Sequence, residues 1–158
     1  MSAPVSATVL VRPAGLDDSA AIAELSGQLG SPSTPEQVQA RLRFFTGEPL
    51  RAVLVAELPA GDSQLGSPGV VIGWVHVEKR LLVHLDPRAE VVALVVAEGH
   101  RRRGAGRILM ERAEQWACEH GCRAVYLRSN VIRTWAHEFY EALGYRLLKT
   151  QKAFLKEF

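Results

Sequence analysis

The residues with the plainest chemistry stand in the stretch HRRRGAGRIL, His100 to Leu109, where three consecutive arginines meet two glycines before the chain turns apolar. Three readings compete for such a run: a basic patch on nucleic acid, a solvated charge run, and a phosphate cradle. Five of the 19 cationic residues (Arg101, Arg102, Arg103, Arg107 and Arg112) gather here, yet the net charge of the chain is only +2. Binding nucleic acid through charge calls for a basic excess over a whole face, so this is a local anion site more than a polyanion surface. A solvated run explains the arginines but leaves Gly104 and Gly106 unexplained. A cradle explains both, because glycines let a phosphate approach the unbonded amides of a helix start while arginines add charge-assisted contacts.

Other chemistries find less support. No GxxxxGK[ST] string occurs, Leu109 occupies the place of the third glycine in a dinucleotide fingerprint, and VYLRSN offers no acidic residue for a ribose. His76, His84, His100 and His120 show no metal-ligand spacing, and Cys118 and Cys122 lack the second pair that a structural zinc site needs. No metal is expected.

A cradle works only between a strand and a helix, and the flanking sequence predicts both. AEVVALVVA is a continuous β-branched run, the mark of a strand buried on both faces. Residues 104–120 place Ile108, Leu109, Ala113, Trp116 and Ala117 on one helical face, with Gly121 as the stop. Upstream, TVLVRPA, RAVLVAEL and VVIGWVHVEKRLLVHL read as strands, the last as one long strand or a hairpin arm. GLDDSAAIAELSGQLG and STPEQVQARLRFF read as helices, the second capped by Ser33 or Thr34 with Pro35 in its first turn. Downstream, RAVYLRS reads as a strand, residues 131–143 as a helix, and YRLLKT and KAFLKEF as closing strands. PAGDSQLGSPG is a loop within one domain spanning residues 1–158, of which residues 1–6 are expected to be a flexible tail.

Length and composition agree with a globular domain: 158 residues, 47% hydrophobic and 23% charged. No apolar run approaches the 18 or so residues of a membrane span, and the amino terminus lacks the basic start and apolar stretch of a secretion signal. Two cysteines this close are poorly placed to staple a fold, so a reducing cytoplasm is the expected location, without membrane or nucleic-acid partners.

Arg101-Arg102-Arg103-Gly104-Ala105-Gly106 matches the R/Q-x-x-G-x-G/A signature of the GNAT superfamily of N-acetyltransferases, and the chain resembles that family in a second block. In LRSNVIRTWAHEFYEALGYRLLKTQKAFLK, a strand-end Asn precedes a helix carrying A-x-x-F-Y and then L-G-Y. The resemblance covers residues 88–158 well, and residues 7–87 through the order of elements. It implies an α/β fold of the α+β type, a mixed, twisted central sheet of about six or seven strands with helices on both faces. Acetyl-CoA would wedge between splayed fourth and fifth strands as co-substrate.

The same resemblance assigns roles. Arg101, Arg102, Arg103, Gly104, Ala105, Gly106 and Arg107 would hold the diphosphate, and Leu94, Val95 and Val96 the pantetheine arm. A bulge around Val95 and Val96 would turn backbone N–H groups toward the oxyanion. Asn130 would bind the pantetheine arm, or cap its helix. Glu90, 11 residues before Arg101 as in several family members, would take the proton of the attacking amine; a water chain is the alternative base. Tyr140 would protonate the leaving thiolate. The implied activity is acetyl transfer from acetyl-CoA to a primary amine, on a small molecule or a protein, by direct attack on the thioester. A non-catalytic acyl-CoA binding or sensing domain is the alternative. A homodimer is the assembly that many relatives suggest. His137 reads as structural, and Trp74 and His76 as lining an acceptor groove or as core.

Overall fold

The β-branched runs pair into one sheet, and the amphipathic segments cover its two faces. The computed structural model describes residues 8–60 and 69–158; the amino-terminal tail and residues 61–68 of the Pro/Gly/Ser-rich loop lie outside the described residues. The chain divides into two compact units, Met1–Leu127 and Arg128–Phe158.

In the first unit, β1 (Leu10–Pro13) leads through a 3-10 turn (Leu16–Asp18) into α1 (Ser19–Gln28) and then α2 (Pro35–Phe45). β2 (Arg51–Leu58), β3 (Val70–Leu82) and β4 (Leu85–Val96) follow, then a 3-10 turn (Glu98–His100), α3 (Ala105–Glu119) and β5 (Val125–Leu127). The five strands lie in the order β1-β2-β3-β4-β5. The first three pairings are antiparallel and β4–β5 is parallel. The second unit holds α4 (Thr134–Ala142).

Side-chain alternation assigns the faces. Val55 and Trp74 belong to one buried cluster with Val95, Ile22, Leu25, Val38 and Leu42, so α1 and α2 cover that face. On the opposite face Val75 and Val77 are buried under α3, which contributes Leu109, Met110 and Ala113. Gly73 lies on the α3 face, where a Cβ would come within 2.8 Å of the Val95 carbonyl and 3.2 Å of Leu109. Close approach of the β4 backbone, with Leu109 of α3 packed beside it, requires glycine there.

Local chemistry fixes the element ends. The Thr34 hydroxyl accepts from Gln37 N–H at 3.2 Å while Gln37 Oε1 accepts from Thr34 N–H at 3.0 Å, a capping box with Pro35 at the first position of α2. α3 stops at Gly121, whose φ of 71° suits glycine, and Cys122 N–H donates back to the Ala117 carbonyl at 2.9 Å.

The sequence led to six or seven strands, and the structure has five among the described residues. Residues 145–158, expected as two closing strands, join no sheet; Leu147, Phe154 and Leu155 are exposed. Alternating apolar residues make a strand only where a neighbouring ladder takes up their backbone groups. β5 pairs over Val125–Leu127, shorter than RAVYLRS suggested.

One ion cluster ties β1 and β2 to the start of α1. Arg12 donates to both Asp18 oxygens at 2.8 and 2.9 Å and to Glu57 at 2.7 Å, and Gly15 N–H adds a bond to Asp18 at 2.7 Å. Burial pushes the Asp18 carboxyl up, but Arg12 and Gly15 outweigh it and hold it below the ordinary carboxylate value. Because Arg12 stays 42% exposed, the figure for a fully buried pair is discounted, and Asp18→Asn is expected to destabilise by about 2 kcal/mol. A depressed folded-state pKa contributes stability that is present at neutral pH and lost on acidification. In urea titrations the advantage of wild type over the variant should therefore shrink below about pH 4.

Candidate functional site

β4 carries most of the residues singled out by the sequence, and its two edges differ. Along β3 it is paired from Leu85 to Val96 apart from two register slips, whereas on the β5 side only Ala89, Glu90 and Val91 find partners, in Val125, Tyr126 and Leu127. From residue 92 onward that edge has no partner strand among the described residues. Ala97 N–H donates to the Ile72 carbonyl at 2.8 Å, so alternation turns the backbone of Val95 toward β3 and that of Leu94 and Val96 toward the open edge.

The ladder slips between Val91 and Ala93, leaving Val92 as the extra residue. The bulge thus falls at Val92 and not around Val95 and Val96. Its effect is a change of parity: Glu90 lies opposite Glu78, and past the bulge Ala93 and Val95 lie opposite His76 and Trp74, all on the α1/α2 side.

At the end of β4 the chain prepares a helix start. Arg102 has φ of 60° and Gly104 φ of 87°, the latter in the position just before α3. The first intrahelical bond runs from Ile108 N–H to the Gly104 carbonyl, so the N–H groups of Ala105, Gly106 and Arg107 precede it and have no acceptor within the helix. Left-handed turns followed by a first helical turn make a concave set of donors suited to an anion. Arg101 folds back, Nε donating to the Val96 carbonyl at 3.1 Å, with Glu98 at 3.9 Å. Arg102, Arg103 and Arg107 form no ion pair among the described residues.

Glu90 is buried, and its Oε2 lies 3.2 Å from Arg80 Nε. It belongs to a charged cluster that sequence reasoning did not assemble. Arg80 also donates to Glu78 at 3.1 Å; Glu78 faces His76 Nε2 at 3.2 Å and Arg51 Nε at 3.8 Å. The ring of Phe45 stacks near His76, with centroids 5.0 Å apart, and Arg51 lies 5.1 Å over that ring. The available signal was His76, Glu78 and Arg80 at period two inside a strand whose other residues, apart from Lys79, are apolar or glycine. His76 Nε2 is close to Glu78 but misaligned for a hydrogen bond.

The second unit is described by itself. Asn130 does not cap α4, whose cap position is Arg133; its Oδ1 accepts from Ile132 N–H at 3.2 Å and closes a turn ahead of the helix. The His137 ring donates to the Asn130 carbonyl at 3.0 Å, the structural role expected of it. Tyr140 packs edge-on against Phe139 and Tyr145, with centroids 5.2 and 6.0 Å away. Burial pushes its phenol above the ordinary value, with Arg133 opposing weakly, so the proton stays on at neutral pH.

Burial drives the His76 imidazole below its usual pKa; Glu78 pulls it up and Arg51 pushes it down, and burial dominates. The folded protein therefore holds His76 neutral, and the unfolded chain takes up its proton first as the pH falls. Stability should be full above about pH 6.5 and decline as the pH falls below that value, and His76→Asn should flatten that decline in denaturant titrations.

Comparison with known proteins places this geometry. Residues 26–145 match the acetyltransferase (GNAT) family. An aminoglycoside N-acetyltransferase in complex with CoA superposes with a TM-score of 0.79 at 17% identity, over 98% of this chain and 99% of that one. Glucosamine-6-phosphate N-acetyltransferase from Arabidopsis thaliana gives 0.76 at 21% identity, over 95% and 99%. A transcriptional regulator from Bacillus halodurans C-125 gives 0.75 at 20%, over 96% and 100%. Identities this low speak for the fold, whereas the family match runs over more than half of the sequence. The protein belongs to the GNAT acetyltransferase family.

Proposed function

We propose that the protein is an N-acetyltransferase that moves the acetyl group of acetyl-CoA to a primary amine. One observation carries the reading: left-handed backbone at Arg102 and Gly104 aims the unbonded amides of Ala105, Gly106 and Arg107 at the end of an open strand edge. The diphosphate of the co-substrate sits on these amides, with Arg102, Arg103 and Arg107 supplying charge. Arg101 holds the strand end to the loop, and the pantetheine arm pairs with the outward backbone of Leu94 and Val96 and with Asn130. Relatives of this fold bound to CoA, such as the aminoglycoside enzyme, support the reading.

In the reaction the amine nitrogen attacks the thioester carbonyl, the C–S bond breaks, and the ammonium proton passes to Glu90 directly or through water. Tyr140 gives its phenolic proton to the departing thiolate. We place the enzyme in the cytoplasm as one domain; among the described residues, no helix is long and apolar enough to cross a membrane.

Isothermal titration with acetyl-CoA tests the cradle. Reversing charge at Arg102 and Arg103 together is expected to weaken binding about 100-fold, since two charge-assisted contacts are exchanged for repulsion. Unchanged affinity would remove the basis of this reading. Glu90→Gln and Tyr140→Phe should each lower kcat about 100-fold with little change in acetyl-CoA affinity, the usual worth of a positioned acid or base. Full turnover in both variants would mean that neither group moves a proton, and acetyl-CoA binding without transfer to any amine would favour the acyl-CoA sensing alternative.

A further inference from the structure

The face that holds Glu90 carries more positive charge than its carboxylates use. Across one level of the sheet, Arg51, Glu78, Glu90 and Tyr126 are successive register partners; two residues along, Arg80 stands opposite Arg88. Like charges directly opposite in an antiparallel pair repel. Arg80 is relieved by Glu78 at 3.1 Å and Glu90 at 3.2 Å. Arg88 has no ion pair among the described residues: its guanidinium lies 4.0 Å over the Tyr126 ring, and its Nε is buried without a hydrogen-bond partner. Arg51 Nε is buried too, 3.8 Å from Glu78 and without a hydrogen bond. Three guanidinium groups thus stand on a face where Glu78 and Glu90 pair with Arg51 and Arg80, and burial lowers the pKa of His76 beside them.

A buried donor left without an acceptor costs free energy, more so when it is charged. Such a group suits an anionic acceptor brought from outside. Arg88 and Glu90 are two apart on β4 and share a face, roughly 6.6 Å along the strand. A groove of about 320 Å³ opens at the Arg51, Glu78 and Arg80 end of this face; Arg88 and Glu90 stand next to it and are not among its lining residues.

We propose that the acceptor is a small amine that also carries an acid group, carboxylate or phosphate, with Arg88 and Arg80 gripping the acid while the amine reaches Glu90. The proposal rests on the acetyltransferase reading above and narrows its substrate class. Polycationic amines fit poorly, because the same arginines repel them. Arg88 is a specificity-determining residue, bidentate toward an oxyacid in a way that lysine imitates only as a point charge.

The test is a set of matched acceptors: glucosamine 6-phosphate against glucosamine, β-alanine against its amide, and spermidine as the polycation. With acetyl-CoA present, at least one acid-bearing member should exceed its neutral partner about tenfold or more in kcat/KM, the worth of one charged hydrogen bond. A preference confined to the phosphate pair or to the carboxylate pair identifies which acid is bound. Arg88→Gln should erase the preference through KM with kcat nearly unchanged, Arg88→Lys should restore part of it, and neutral acceptors should be indifferent to both. Equal use of acid and neutral members, preference for spermidine, or an equal loss for all acceptors in Arg88→Gln would overturn the proposal. Calorimetric titration of the same pairs into CoA-loaded protein reads the preference without turnover, and equal affinities there overturn it as well. Failure to load CoA would instead count against the acetyltransferase reading.

Discussion

A strand buried in a sheet has two hydrogen-bonding edges, and β4 satisfies one of them over most of its length and the other for three residues. That asymmetry governs the site. β3 takes up one edge from Leu85 to Val96, while β5 takes up Ala89 to Val91 and then ends. Backbone groups beyond that point, at Leu94 and Val96, belong to a strand long enough to be rigid but lack a ladder. An extended ligand arm with its own amides is the natural complement of such an edge, and the helix start that follows supplies the complement of an anion at its end.

The extra residue at Val92 does the rest of the positioning. Without a parity change, a strand that presents Glu90 to the α1/α2 side would present Leu94 and Val96 there as well. Insertion of one residue lets Glu90, Ala93 and Val95 share that side, so a buried carboxylate and the apolar cluster around Trp74 coexist on one face. The carboxylate is tolerated because Arg80 lies 3.2 Å away; an unpaired charge at that depth would be costly.

Much of this was legible in the residues, for physical reasons that differ from place to place. RAVLVAEL alternates and is bounded by turns, and it forms a strand over Arg51–Leu58. Thr34 and Pro35 announce the start of α2 because capping is local chemistry. The bulge was not legible: VVALVV has no alternation against which a slip of one residue could register. Nor was the left-handed turn at Arg102, since positive φ in a residue other than glycine is imposed by its surroundings. The closing segments YRLLKT and KAFLKEF carry apolar residues at strand spacing, yet their pairing depends on a neighbour that local pattern does not specify. The Arg51–Glu78–Glu90 row assembles residues from three strands, and nothing in any one of them reveals the others.

The choice of cation has a consequence for the protein's own durability. A catalyst that acylates amines endangers its own lysines, each of which is a nucleophile whenever it sheds a proton. Arginine cannot be deprotonated in a protein, and the charged face and the anion loop employ arginine throughout: Arg51, Arg80, Arg88, Arg102, Arg103 and Arg107. The sole lysine before residue 149 is Lys79, whose ammonium is bound to the His120 carbonyl at 2.6 Å. On the proposed acetyltransferase reading, that choice leaves few side-chain amines in the first unit for the reaction to modify.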